Sequence, residues 1–477
     1  VPGEQALEPT HLLSNGHYSV SLRANGAGWS QWGATGITRW RDDALRDACG
    51  SFVYLRLDPR AAPVSVSSHP APDPAAQYLS TFHTDRVVLE AQWPELSVQT
   101  TVWVSPEDDI EFRRVELRNM SDRPLDIELM SAFEVTLSDP PADEAHPAFT
   151  NLFIKAKWLA RHQALVFSRT PRLPTEAALH AAHFLAETDP QVVALRYQTD
   201  RQAWLGRHRN VQAPQGGTRA VPGGPDTDDT DLDTGLDPVC VLAVQLRIAP
   251  RAKAVLTFAT SVCHHADTLL AVIDKYRQHN HVQRASLMSA TLVGIRLREL
   301  RISNKNFAAA QNLTTALALT LTRSTERVPH PDGDAAEVCD RRLLWRLGIS
   351  GDRPIVLVSI DQMQGLGLLR SMAQGLRLWS WGQMACDLVV INREPASYLM
   401  ALQRELMALR ERHLIDSGMR GDPSYTDFHV LRAEELSPGE SRSLHSLARV
   451  RLHADGRPLA LHVHEWSERH EQAFDTR

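Results

Sequence analysis

No apolar stretch in the 477 residues approaches the roughly 18 needed to cross a bilayer as a helix, so no membrane segment is expected within them. Basic charge is in deficit. Lysine plus arginine number 51 against 57 acids, a net charge of -6, which leaves no positive field to draw the protein onto nucleic acid. Cysteine is scarce: Cys49, Cys240, Cys263, Cys339 and Cys386 lie far apart, odd in number and without a CxxC pair. That excludes a disulfide framework and a cysteine zinc site, and implies reduced thiols in the cytoplasm. The serine-hydrolase elbow Gly-x-Ser-x-Gly and the phosphate-loop Gly-Lys-Ser/Thr are both missing. Gly365-Leu366-Gly367 lacks the third glycine of a dinucleotide fingerprint, Arg370 standing in its place, and reads as a helix-entry turn. His464-Glu465-Trp466-Ser467-Glu468 fails the HExxH test at its last position. Alternation would put His462 and His464 on one strand face, but a third ligand is wanting, so a surface histidine cluster is expected and no metal. No cofactor is implied.

Residues from about 14 to 262 alternate polar with apolar at period two. Examples are Leu96-Ser97-Val98-Gln99-Thr100 and Leu125-Asp126-Ile127-Glu128-Leu129, and more than ten such segments predict two large stacked antiparallel sheets. Seven of the eleven tryptophans fall in this half, which suits a broad apolar or sugar-stacking surface. Two loops, Ala61–Ala76 and Ala213–Pro238, have the Pro, Gly, Ser and Asp content of solvated, mobile segments. From His265 the period becomes helical, Ser303 reads as the N-cap of a third helix to about Leu321, and Ser324 to Cys339 is a polar linker. Strands at Pro354–Ile360, Cys386–Ile391 and Phe428–Leu431 then alternate with helices at Leu366–Trp381, at 396–413 and after Ser437-Pro438. This predicts a small α/β unit with parallel strands. The chain opens Val1-Pro2-Gly3 without an initiator methionine, as a piece of a longer polypeptide would.

One block is chemically dense. Asn25-Gly26-Ala27-Gly28 is a tight turn that presents Trp29 and Trp32 near Arg39, Trp40, Arg41, Asp42 and Asp43. Aromatic faces beside forked donors and acceptors are what a sugar site uses, since CH faces stack and hydroxyls bond to the forks. An inter-sheet packing corner with a surface ion pair would use the same residues, and both readings stand. The acidic runs Glu107-Asp108-Asp109 and Glu434-Glu435 read as solvated turn residues, not as the paired carboxyls of a glycosidase.

Asn15-Gly16-His17-Tyr18-Ser19-Val20, then Gly28-Trp29-Ser30 and Thr38-Arg39-Trp40-Arg41-Asp42-Asp43, resembles the opening of a known carbohydrate-binding domain. It is the supersandwich of inverting glycoside phosphorylases (glycoside hydrolase family 94, cellobiose and chitobiose phosphorylase-like), particularly the phosphorylase-like part of bacterial cyclic β-1,2-glucan synthases. The resemblance continues through Gly50–Arg56, Val104–Asp109, Arg113–Val115 and His146–Phe149. Further on it covers Tyr197–Arg201, Leu205–Arg207 and Gly348–Val358, and so most of the chain. It implies a galactose-mutarotase-like β-supersandwich, a helical linker and then an (α/α)6 barrel whose aspartate protonates the glycosidic oxygen while phosphate attacks the anomeric carbon. No series of a dozen amphipathic helices follows Leu321, so no catalytic residue is transferred to this chain.

The expected architecture is therefore a β-supersandwich over 1–264, a helical linker over 265–335 and an α/β unit over 336–477. The expected function is a non-catalytic module, inactive alone, that orients a β-glucan or oligosaccharide and packs on a catalytic barrel of the same polypeptide or a partner chain. Pairing of subunits through the sandwich is implied by the resemblance only. The alternatives are a self-sufficient phosphorylase or hydrolase with its carboxylates at Asp42 and Asp43, and a scaffold without sugar affinity.

Overall fold

In a computed structural model the described residues are 8–41, 48–174, 176–224, 226–319, 339–395, 399–418 and 426–475. The described residues form two compact units, 11–41 with 48–295 in the first and 8–10 with 296–475 in the second.

Among the described residues the first unit has nineteen strands and opens with β1 (Thr10–Ser14), β2 (Tyr18–Arg23), β3 (Gly28–Trp32), β4 (Thr35–Thr38), β5 (Phe52–Arg56) and β6 (Val64–Ser65). Next come β7 (Gln77–Phe82), β8 (Val87–Gln92), β9 (Leu96–Val104), β10 (Ile110–Asn119) and β11 (Leu125–Ser138). After the short helices α1 (Pro140–Ala145) and α2 (Pro147–Asn151) follow β12 (Ile154–Leu159), β13 (Ala164–Arg169), β14 (Leu179–Glu187) and β15 (Val192–Asp200). Helix α3 (Arg201–Leu205) leads to β16 (Arg219–Ala220), β17 (Thr230–Leu232), β18 (Pro238–Ile248) and β19 (Lys253–Cys263). One sheet runs β1-β2-β3-β4-β11-β18-β15-β16 with β5 and β6 attached through β11, and the other runs β17-β12-β13-β14-β19-β10-β9-β8-β7. Every pairing between these strands for which a register is defined is antiparallel, as period-two alternation requires.

Alternation along β11 sorts the layers. Leu129, Phe133 and Val135 join Val98, Val115, Val244 and Leu256 in the core between the sheets. Met130 and Ala132 point the other way, into a second apolar layer with Tyr54, Trp204 and Leu205. Helix α4 (Ala266–Tyr276) and the start of α5 (His279–Glu299) cover the outer face of the nine-stranded sheet, where Leu269, Ile273, Tyr276 and Val282 pack on Trp103, Phe112 and Phe184.

The tryptophans serve these layers more than a surface. Of the seven in this half, Trp32, Trp93, Trp103, Trp158 and Trp204 are buried, and only Trp29 and Trp40 are half-exposed. The Ala61–Ala76 segment is also not a solvated loop. Ser65, Val66, Ser67 and Ala71 are buried, because Ser65 Oγ donates to the Ser67 carbonyl at 2.7 Å and Ser67 Oγ to the His69 carbonyl at 2.7 Å, satisfying backbone that a loop leaves to water. Within the Ala213–Pro238 segment Gly223, Gly224 and residues 226–229 are exposed, although β16 and β17 tie its ends to both sheets.

The second unit includes α6 (Asn304–Ala318), capped by Ser303 Oγ, and a parallel sheet of β20 (Ile355–Ile360), β21 (Cys386–Asn392), β22 (Thr426–Arg432) and β23 (Ala448–Ala454) in the order β22-β21-β20-β23. The crossovers are α7 (Leu366–Trp381), α8 (Ala401–Gly418) and α9 (Pro438–Leu447), and α10 (Leu459–Asp475) closes the unit. Ser437 and Glu440 cap α9 reciprocally. The polar linker expected from Ser324 lies, up to residue 338, outside the described residues, as do 396–398, where a helix was expected to begin. His462 and His464 sit on a helix, not a strand. Two positions apart on α10 they face different ways, His462 to Asp455 at 2.9 Å and His464 to Glu468 at 3.3 Å. The expected histidine face does not exist.

Among the described residues no (α/α)6 barrel is present, and no helix is long and apolar enough to cross a membrane.

Candidate functional site

The β2–β3 hairpin turns through Gly26 at φ +94°, and Asn25 Oδ1 accepts the Ala27 N–H at 2.8 Å. At Gly28 a Cβ would stand 1.9 Å from the Ser21 carbonyl oxygen, so only glycine admits this close pairing of the strands. The register then places Trp29 and Gln31 on one face of β3 and Ser30 and Trp32 on the other. The described residues of the block thus serve two places instead of one.

On the outer face, the rings of Trp29 and Trp40 meet at a tilt of 39° with centroids 4.3 Å apart, and Trp29 Nε1 donates to Gln31 Oε1 at 3.0 Å. Beside them Arg39 is buried. Its Nη1 meets Glu134 Oε2 at 2.6 Å, and its Nε and Nη2 hold both oxygens of Asp143 at 3.0 and 3.1 Å. Arg201, presented by α3 behind the Asp200 cap, takes the other oxygen of Glu134. Burial opposes the charge on Arg39, but Glu134 and Asp143 outweigh it and hold the guanidinium protonated beyond its usual range. Arg41 is half-buried, its Nη2 4.0 Å from Asp143. Asp42 and Asp43 lie outside the described residues.

The cavity over this network, lined by Arg39, Cys49, Tyr54, Glu134, Arg201 and Trp204, measures about 20 Å³. That holds about one water and no sugar ring. Burial pushes the Cys49 thiol up to about 11, which removes it as a thiolate nucleophile. Arg39 is therefore a fixed post behind the surface, and of the block's described residues Trp29, Trp40 and Arg41 keep partial exposure.

Trp32 belongs elsewhere. Its Nε1 donates to Asp109 Oδ2 at 2.6 Å, and the rings of His17 and His264 meet it edge-on at 4.8 and 4.6 Å. Asp109 also takes His17 Nδ1 at 2.7 Å and Asn15 Nδ2 at 3.2 Å. The acids beside it are likewise engaged: Lys275 reaches Asp108 at 2.6 Å and Glu107 at 3.2 Å, Tyr276 Oη donates to Asp108 at 2.7 Å, and Arg284 meets Glu107 at 2.9 Å. Glu107, Asp108 and Asp109 thus lie part-exposed in the bend between β9 and β10, as expected of turn residues, and there also anchor α4, α5 and Trp32. No spacing rule joins residue 32 to 109 or 39 to 143; only the fold does.

A family model described as the supersandwich domain of glycosyl hydrolase 94 matches residues 3–279. The chain belongs to this family. A curated relative of the supersandwich chain is the cyclic beta-(1,2)-glucan synthase NdvB of Rhizobium meliloti (strain 1021), 29% identical over 454 residues. The match takes in 93% of this chain and 15% of that relative, so the chain spans about a seventh of the synthase. Among solved structures, a bacterial glucoamylase complexed with acarbose aligns over 67% of this chain and 41% of its own at 9% identity with a TM-score of 0.37. A putative aldose 1-epimerase from Escherichia coli K12 aligns over 54% of this chain and 100% of its own at 9% identity with a TM-score of 0.28. Likeness this loose carries no inference about function. The supersandwich and the matched synthase establish a domain related to glycoside-active enzymes.

Proposed function

We propose that the first unit is a non-catalytic carbohydrate-handling module of a cyclic β-glucan synthase or related glycoside phosphorylase, and that Trp29, Trp40 and Arg41 form its contact patch for a β-linked glucan or for a neighbouring catalytic barrel. The observation that carries this is the half-exposed Trp29–Trp40 pair, its rings in close tilted contact, in a sandwich whose other tryptophans are buried. Aromatic pairs left at a surface offer flat apolar area that sugar CH faces can cover. The carboxylates behind the pair, Glu134 and Asp143, are committed to guanidinium bonds over a one-water cavity, which supports a role without turnover. The relative named above is a glucan synthase many times longer, which supports a barrel in the same polypeptide. On this reading the module works on the cytoplasmic side, consistent with cysteines that are all free.

The test is titration of β-1,2-glucooligosaccharides into the full chain by calorimetry, together with a phosphorolysis assay. Trp29→Ala and Trp40→Ala should each weaken binding about tenfold, roughly what one stacking or ring contact contributes. Thermal stability should hold, and no glucose 1-phosphate should be released. Binding unaffected by either change would refute the patch, and phosphorolysis by the chain alone would refute the non-catalytic reading.

A further inference from the structure

The parallel sheet of the second unit contains a crevice that the reading above leaves unused. The chain passes from β20 through α7 to β21, and on through α8 to β22, always to the same side. It then returns through α9 to set β23 against the opposite edge of β20. Strand order thus reverses between β20 and β23, and open parallel sheets bind ligands outside the carboxyl ends of their strands at such a reversal. A cleft of about 400 Å³ lies there, within the size range of small-molecule sites, and its walls include Ser359, Arg451, His453, Arg457, His462 and Arg469.

Its chemistry is specific. Arg451 and His453 are the exposed members of β23, whose other face buries Val450 and Leu452. The two carboxylates in the walls are already held: Asp455 accepts Arg457 Nε at 2.7 Å and lies 2.9 Å from His462 Nε2, and Glu465 takes Arg457 Nη1. The backbone N–H of Arg457, with its side chain and His462, keeps Asp455 low at about 2, so the pair stays ionised and closed on itself. Arg469 gives its Nε to the Glu465 carbonyl at 3.2 Å, which leaves its Nη groups available, and among the described residues Arg451 has no carboxylate partner. Ser359 Oγ and His453 Nδ1 are 2.9 Å apart, with Asp361 3.8 Å from the same ring, and His445 Nδ1 is turned back to the Ser441 carbonyl at 2.8 Å. Among the described residues the walls include no tryptophan, tyrosine or phenylalanine, so a neutral sugar finds no stacking face. Planar guanidinium forks with a hydroxyl and an imidazole between them suit a tetrahedral oxyanion instead.

We propose that this cleft binds a phosphate-bearing small molecule, gripped by Arg451 and Arg469, with His453 and Ser359 as further hydrogen-bonding groups. Calorimetry on the full chain with inorganic phosphate, glucose 1-phosphate and ADP as separate probes tests it. At least one probe should bind at millimolar concentration or below. Arg451→Ala and Arg469→Ala should each weaken that probe about tenfold or more, and Arg451→Lys should recover part of the loss. Equal binding of all three assigns the site to the phosphate group itself, whereas preference for one ester assigns it to a sugar phosphate or a nucleotide. No heat with any probe, or affinities unchanged in both alanine variants, overturns the proposal. Should Arg451→Ala not fold, Arg469→Ala, on the exposed side of α10, decides it alone.

Discussion

Replacing Arg39 by alanine is the most direct trial of the corner beneath the tryptophan pair. The guanidinium makes close contacts to two carboxylates, at 2.6 Å to Glu134 and at 3.0 and 3.1 Å to Asp143. Asp143 is only 4% exposed in its side chain, and its other cationic neighbour, Arg41, stands 4.0 Å away, whereas Glu134 keeps Arg201. The loss therefore falls on Asp143, left buried with one distant counter-charge. Removing one partner of a buried pair costs about 3–5 kcal/mol. In a unit of this size each kcal/mol moves Tm by roughly 2–4 °C, so Arg39→Ala should lower the sandwich transition by about 6–20 °C in scanning calorimetry. The double change Arg39→Met with Asp143→Leu removes both charges and should cost less than the single one, because no ion is left stranded. A fall below about 2 °C in Arg39→Ala, or a double variant as damaged as the sum of the singles, would refute the account.

Trp32→Ala should act oppositely to Trp29→Ala, losing about 3–5 kcal/mol of stability in urea denaturation while glucan binding stays unchanged, since Trp32 is buried in its Asp109 cage. His183 and His11 are wholly buried and held low, at about 3 and about 4, chiefly by loss of solvation. Their unfolded forms take up protons below about pH 6.5 while the folded forms do not, so stability is full above that pH and falls by up to about 1.4 kcal/mol per unit per histidine towards pH 4. Denaturation of His183→Gln across this window should show a shallower acid slope than the parent protein, and equal slopes would contradict it. Limited proteolysis followed by mass spectrometry should nick first between Gly223 and Asp229, the exposed part of the 213–238 segment. Early cuts within β9 to β11 would contradict the sheet assignment.

Strand and helix identities were legible because period is local: Leu125 to Leu129 alternates along the chain, and β11 alternates in space. The parallel α/β unit was legible for the same reason, from strands and helices in turn. What sequence could not supply was partnership at long range. Trp29 and Trp32 look like neighbours in a row, but a strand puts i and i+3 on opposite faces. Asp109 read as one of three turn acids until β10 brought it beside Trp32. The Ala61–Ala76 composition suggested exposure because serine is polar, yet Ser65 and Ser67 spend that polarity on backbone groups that would otherwise need water. His462 and His464 misled because a short apolar alternation also fits one face of a helix.

The Arg39 corner joins chain segments 95 and 104 residues apart, and Arg201 adds a further span of 67 to Glu134. None of its charges can be matched by a local turn, so during folding they remain hydrated until β4, β11, α1 and α3 have all arrived. Contacts of such sequence separation come late on the route to the native state, since each must wait for the loops between to close. The corner thus acts as a latch, not a nucleus. It slows the opening of an assembled sandwich while contributing little to the speed at which that sandwich forms.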